Sequence, residues 1–259
     1  VAEVTLGGRP AVRLRADDRP ARLLYLHGGG YVVGSHHTGA PLAGALAGRI
    51  GGPVTNRRRS SGLTASLGTA YSLDYRLAPE HPYPAGLDDA VAAYRELSAG
   101  GDVVVAGDSA GGGLVVGLLV ALREAGLPQP PAAAVFSPWA DLTLGGETIR
   151  TRDGIDPLFN LQSLLWYAVR YAPGATAEKA SPLFADLSGL APLLVQVGND
   201  EILLDDAVRL AARVAAGGGD VTLEVGAGLP HVYQLNYGAL PDADEALDRA
   251  AAFLTRPRR

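Results

Sequence analysis

Val103-Val104-Val105-Ala106-Gly107-Asp108-Ser109-Ala110-Gly111-Gly112 is a run of apolar residues ending in a Gly-x-Ser-x-Gly turn, and Gly113-Leu114-Val115-Val116 then opens an apolar, helix-like segment through Leu122. A buried strand, a tight glycine turn and a helix, in that order, are the context in which a serine becomes a nucleophile. Glycines two residues before and after Ser109 let strand and helix approach while the serine sits at the tip. The helix start also presents free backbone N–H groups to an oxyanion forming there. In a chain with 34 glycines the pattern alone is weak, so its surroundings have to carry the reading.

Working outward, the 259 residues suit one large α/β domain, and a 47% hydrophobic content supplies a substantial core. The net charge of −5 argues against a nucleic-acid or anionic-membrane surface. Lys179 is the only lysine among 22 basic residues, which reads as a GC-rich, bacterial coding bias. There is no Cys, hence no disulfide, thiolate nucleophile or thiolate metal site. Met is also absent, even at position 1, which implies that translation starts upstream. With no run of 18 apolar residues and no signal-like start, a soluble cytoplasmic protein is expected.

Val1 to Asp18 alternates around Gly7-Gly8 as an edge hairpin, and Arg22 to Leu26 is a short buried strand ending at His27-Gly28-Gly29-Gly30-Tyr31. Three consecutive glycines are entropically costly and call for close backbone approach. The loop is therefore read as pointing its N–H groups at an oxyanion beside the N–H of Ala110, the alternative being a flexible turn, with His27 bracing the loop. His36 and His37 fall in a polar turn and are expected to face solvent; an adjacent pair with no acidic partner is a poor metal signal, and no metal is assigned. Pro41 to Ile50 reads as a helix. Residues 51–68, with Arg57-Arg58-Arg59, form a surface excursion with its arginines in solvent; the alternative is contact with an acidic partner or with a second subunit in a homodimer.

Thr69 to Leu77 has strand character. The proline-rich Asp74 to Ala85 follows, a rigid connection in which Asp74, Arg76 and Glu80 hold neighbouring loops. Gly86 to Ser98 is helical and Ala132 to Ser137 a buried strand. No strand is expected between 142 and 190, only a helix around Leu158 to Tyr171. That segment is read as a cap, with Trp166 and the aromatics lining an acyl pocket. Leu193 to Gly198 is a late strand, followed by Asn199-Asp200-Glu201, a helix over Leu203 to Ala216, a strand over Val221 to Val225, the loop carrying His231, and a last helix over Asp242 to Leu254.

Acyl transfer needs a nucleophile, a base, a group that orients the base, and oxyanion donors. Ser109, Asp200 and His231 occur in the order nucleophile, acid, histidine, each after a predicted strand, and such loops converge on one edge of a parallel sheet. Asp205 and Asp206 compete with Asp200 but are better placed as helix-surface charges. His231 is preferred to His81 because it follows the last strand.

His27-Gly28-Gly29-Gly30, Asp74-Tyr75-Arg76-Leu77-Ala78-Pro79-Glu80-His81 and Gly107-Asp108-Ser109-Ala110-Gly111-Gly112 together resemble the hormone-sensitive-lipase-like branch of the α/β-hydrolases, the bacterial family IV esterases. The resemblance implies an α/β-hydrolase fold, a mostly parallel sheet with helices on both faces and a small helical cap. It implies a carboxylesterase of short-to-medium acyl esters, with Ser109, Asp200 and His231 as triad and Gly29, Gly30 and Ala110 as oxyanion donors. It also implies a small-molecule ester as partner and no metal or organic cofactor. Tyr31, Asp108, Trp139 and Trp166 are the expected pocket residues. An amidase or peptidase with the same triad and a non-catalytic, ligand-binding hydrolase-like receptor are the alternatives. The chain departs from the family in three places: only 26 residues precede His27, residues 51–68 are long for a helix-to-strand turn, and Gly113 stands where an asparagine is common.

Overall fold

The computed structural model describes residues 1–15, 22–50, 68–174 and 176–256. Its centre is an eight-stranded sheet of β1 (Ala2–Leu6), β2 (Arg9–Arg15), β3 (Arg22–Leu26), β4 (Thr69–Leu73), β5 (Val103–Asp108), β6 (Ala133–Phe136), β7 (Leu193–Gly198) and β8 (Val221–Gly226). The order is β1-β2-β4-β3-β5-β6-β7-β8. The hairpin β1-β2 joins β4 antiparallel, as expected of an edge; the remaining pairings are parallel.

The helices are α1 (His36–Ala47), α2 (Ala85–Ser98), α3 (Ala110–Glu124), α4 (Thr148–Thr151), α5 (Leu161–Tyr171), α6 (Thr176–Ala180), α7 (Leu204–Ala216) and α8 (Pro241–Leu254). They cover both faces, so strands that would alternate in a one-sided sheet are apolar throughout. Leu24, Leu26, Val103, Val105, Val135 and Val195 face α2, α3 and α7, while Leu23, Tyr25, Ala106, Phe136 and Leu194 face α1 and α8. Gln196 breaks the apolar run of β7 and is fully buried. It is satisfied by donating to Glu224 Oε2 at 2.8 Å and Ala246 C=O at 2.9 Å, which ties α8 to the sheet.

Two expectations need correction. First, α1 begins at His36, because Ser35 caps it: Ser35 Oγ accepts from His37 N–H and Thr38 Oγ1 accepts from Ser35 N–H. His36 and His37 are thus the first turn of a helix, and the His36 side chain is largely buried rather than solvent-facing. Second, β4 stops at Leu73, and the Asp74 to Ala85 segment leaves the sheet. There Arg76 makes a bidentate pair with buried Asp89, at 2.8–3.1 Å, while Glu80 is exposed and holds no loop. The excursion expected at 51–68, with Arg57 to Arg59, lies outside the described residues except for residue 68. Between β6 and β7 the described residues form α4, α5, α6 and a single 3-10 turn, with no strand.

Candidate active site

The elbow between β5 and α3 is strained, and its neighbours show why. Ser109 has φ 53° and ψ −120°, a conformation costing about 1–3 kcal/mol for a non-glycine residue. Its N–H donates to Phe136 C=O at 2.8 Å, and its C=O accepts from Trp139 N–H at 3.0 Å and Gly113 N–H at 3.1 Å. A Cβ on Gly107 would lie 2.6 Å from Gly111 C=O, and one on Gly111 only 2.0 Å from Leu26 C=O. Helix and strand approach to a distance that only glycine permits.

The glycine loop after β3 lies against this serine: a Cβ on Gly28 would sit 3.2 Å from Ser109 Cβ. Gly29 and Gly30 have φ of 121° and 60°, open to glycine at little cost. Gly29 C=O accepts from Val32 and Val33 N–H, folding the loop back on itself. Among the described residues no hydrogen bond uses the N–H of Gly29, Gly30 or Ala110. His27 braces the loop, as expected. Its ring stacks on Tyr75 at 4.3 Å and its Nδ1 lies 2.7 Å from Gly28 C=O. A carbonyl can only accept, so Nδ1 carries the proton. Burial holds the imidazole below its ordinary pKa, in the neutral form. Tyr75 completes the brace by donating its hydroxyl to His27 C=O at 2.7 Å.

The imidazole–carboxylate pair and its hydrogen-bond partners come from three loops, after β6, β7 and β8. His231 follows β8 and is 4% exposed; its Nδ1 lies 3.1 Å from Glu201 Oε1. The other oxygen of Glu201 accepts from Ser137 Oγ at 2.7 Å and from Gly198 N–H at 2.9 Å. Ser137 Oγ in turn accepts from Val232 N–H at 3.0 Å, so one hydroxyl joins the acid to the residue after the base. Burial pulls the His231 pKa down, but the charge and hydrogen bond of Glu201, with Asp156 and Asp108 beyond, outweigh it and raise the pKa above the ordinary value. His231 Nε2 is buried with no hydrogen-bond partner.

The carboxylate on His231 is therefore Glu201, one residue past Asp200. The turn after β7 is pinned by Asn199 N–H to Gly226 C=O and Asp200 N–H to Leu229 C=O, which leaves Asp200 half-buried and rotates Glu201 inward to full burial. The competing acids also differ from expectation. Asp205 Oδ2 accepts from Glu147 and Thr148 N–H. Asp206 is not a surface charge: it is 1% exposed, accepts from Ala140 and Asp141 N–H at 2.9 and 2.8 Å, and burial together with the nearby Asp141 pushes its pKa up to about 8.

Two further residues beside the pair carried no signal in the sequence. Asp156 Oδ2 accepts from Ile202 N–H at 2.8 Å and its Oδ1 from Leu158 and Phe159 N–H, tying the 142–190 segment to the acid loop. Phe159 then sets its edge on the His231 ring, with centroids 5.0 Å apart.

The four expected pocket residues separate. Tyr31 lines a cavity of about 520 Å³ with Tyr83, Leu114, Gly117, Tyr171 and Phe184, but neither Ser109 nor His231 lines it. Asp108 is a brace: Oδ1 accepts from Tyr25 Oη at 2.7 Å, and Oδ2 lies where a Cβ on Gly28 would clash. Trp139 is buried in the core and donates to Asp141 C=O. Trp166 is 45% exposed on α5, beneath the Arg170 guanidinium. The departure at Gly113 also finds its reason. Tyr31 Oη donates to Trp139 C=O at 2.8 Å, and a Cβ on Gly113 would lie 2.2 Å from both oxygens.

A serine on a strand-to-helix elbow beneath a glycine loop, with an imidazole–carboxylate pair on the loops after the last two strands, is the arrangement of the α/β-hydrolases. The family model described as alpha/beta hydrolase fold matches residues 23–235, and the chain belongs to that family. It is 42% identical over 248 residues to a Streptomyces hygroscopicus acetyl-hydrolase, covering 91% of this chain and 77% of that protein. It is 31% identical to an esterase of Acinetobacter venetianus, covering 98% and 82%. A hormone-sensitive lipase from a metagenome library superposes with a TM-score of 0.88 at 36% identity, over 98% of this chain and 84% of that one. Within the α/β-hydrolases, the chain is a member of the hormone-sensitive-lipase-like esterases.

Proposed function

We propose that this chain is a serine carboxylesterase of short-to-medium acyl esters, working through Ser109, His231 and Glu201, with Glu201 in the role expected of Asp200. The observation that carries the reading is the 3.1 Å contact of Glu201 with His231 Nδ1, beside a buried Nε2 free to take a proton.

His231 Nε2 removes the hydroxyl proton of Ser109 as Oγ attacks the ester carbonyl, and Glu201 holds the tautomer and offsets the imidazolium charge. The N–H groups of Gly29, Gly30 and Ala110 receive the oxyanion. The C–O bond to the alcohol breaks as His231 returns the proton to it, leaving an acyl-Ser109 ester. Water, deprotonated by His231, then releases the acid. The 142–190 segment acts as the cap. The acetyl-hydrolase among its relatives supports a small acyl group. Among the described residues no helix is long and apolar enough to cross a membrane.

The test is covalent labelling with a fluorophosphonate together with turnover of p-nitrophenyl esters from acetyl to palmitoyl. One adduct per chain at Ser109 is expected, with Ser109→Ala unlabelled and at least about 10⁴-fold slower. Near-normal turnover by Ser109→Ala would remove the assignment.

A further inference from the structure

The fold supplies what the sequence lacked beside the adjacent histidines: Glu3 of β1, 33 residues upstream, lies against both of them. We propose that Glu3, His36 and His37 form a transition-metal site, selective for ions of the Zn(II) type, that fastens the edge strand β1 to the start of α1.

Two distances and a shared neighbourhood carry the proposal. His36 Nε2 is 3.2 Å from Glu3 Oε2, and His37 Nε2 is 3.5 Å from Glu3 Oε1. One ligand atom from each residue can be chosen so that all three lie within 4.8 Å of one another. A tetrahedral zinc ion with bonds of about 2.0–2.1 Å holds its ligand atoms about 3.3–3.4 Å apart. The His36–Glu3 contact is also within reach of a direct hydrogen bond, and both spacings equally suit two ligands on one ion.

The surroundings favour an ion as well. The His36 side chain is only 12% exposed, and its far nitrogen, Nδ1, lies 3.0 Å from Asp74 Oδ1. The geometry of that contact falls short of a hydrogen bond. Asp74 Oδ1 also accepts His36 N–H at 3.2 Å, which places a carboxylate behind the ligating imidazole, an arrangement that orients histidine ligands. Glu3 and Asp74 offset the positive end of α1, which by itself repels a cation. Glu3 and His37 are well exposed, at 60% and 67%, so an ion can enter and one position stays open to water. Two imidazoles and one carboxylate suit zinc, nickel or copper rather than calcium or magnesium.

The consequence is structural. Among the described residues β1 pairs only with β2, and the residue before the α1 cap, Gly34, packs on the His27 imidazole that braces the glycine loop. An ion here would pin the outermost strand to the helix that leaves the oxyanion loop.

Zinc chloride titrated calorimetrically into the chelator-treated full chain, with melting followed in parallel, tests the site. One tight equivalent is expected, and at a hundredfold excess over Kd the Tm should rise by about 5 °C or more. Glu3→Gln and His37→Ala should each weaken binding at least about tenfold and abolish the rise, while His81→Ala changes neither. Both ligand variants are surface changes, so unchanged ester turnover and metal-free Tm would establish that they fold. Absence of zinc binding in the parent chain, or binding by Glu3→Gln and His37→Ala as tight as the parent's, overturns the proposal.

Discussion

The nucleophile elbow and the acid–base pair are both carried on loops at the carboxyl ends of parallel strands, but they are held by different forces. At the elbow, backbone meets backbone at Gly107 and Gly111, and Gly28 meets the Asp108 side chain; none leaves room for a Cβ, and the strained φ of Ser109 is enforced by contact. At the acid–base pair, side chains from residues 137, 201 and 231 meet with backbone N–H groups of 198 and 232 through directed hydrogen bonds. Steric enforcement is local and unforgiving, whereas a hydrogen-bonded relay is long-range and can be weakened step by step.

That contrast predicts graded consequences. Gly111→Ala forces a methyl against Leu26 and His27 carbonyls and should be the most damaging, costing about 3 kcal/mol and lowering Tm by about 6 °C or more, with loss of turnover. A fully active, stable Gly111→Ala enzyme would break the steric account. Glu201→Gln keeps the shape of the relay but removes its charge, and kcat/KM should fall about 10²–10⁴-fold.

The pH profile adds a sign. The raised His231 pKa places the acid limb of kcat/KM above the ordinary histidine value, because the base must be unprotonated. Without the Glu201 charge, burial dominates and the limb in Glu201→Gln should move to lower pH; an unmoved or higher limb would contradict the assignment.

Ser137→Ala removes one arm of the relay and leaves Val232 N–H unpaired, at a cost of about 1–3 kcal/mol and about tenfold in kcat/KM. Asp200→Asn should change least, staying within about 0.5 kcal/mol and twofold in turnover. A loss from Asp200→Asn comparable to that from Glu201→Gln would return the acid's role to Asp200.

The same contrast explains which features could be read in advance. Leu23 to Leu26, Val103 to Ala106 and Leu193 to Val197 are apolar on both faces because helices cover both sides, and the sheet followed from them. The elbow and glycine loop were legible because their geometry is set by which residues are glycine. The first turn of α1 was missed because His36-His37 looks like a polar turn unless Ser35 is recognised as its cap.

What the order of residues determined by itself was the strand–turn–helix, the glycine loop, the serine at the elbow and the histidine after the last strand, since each depends on neighbours in the chain. Tertiary structure alone decided between adjacent acids. Two backbone hydrogen bonds rotate the turn after β7 so that Glu201, rather than Asp200, reaches His231, and a rotation of one residue leaves no mark in composition or periodicity. It also decided what stands beside His36 and His37, because a strand edge and a helix start come together only once the sheet has formed.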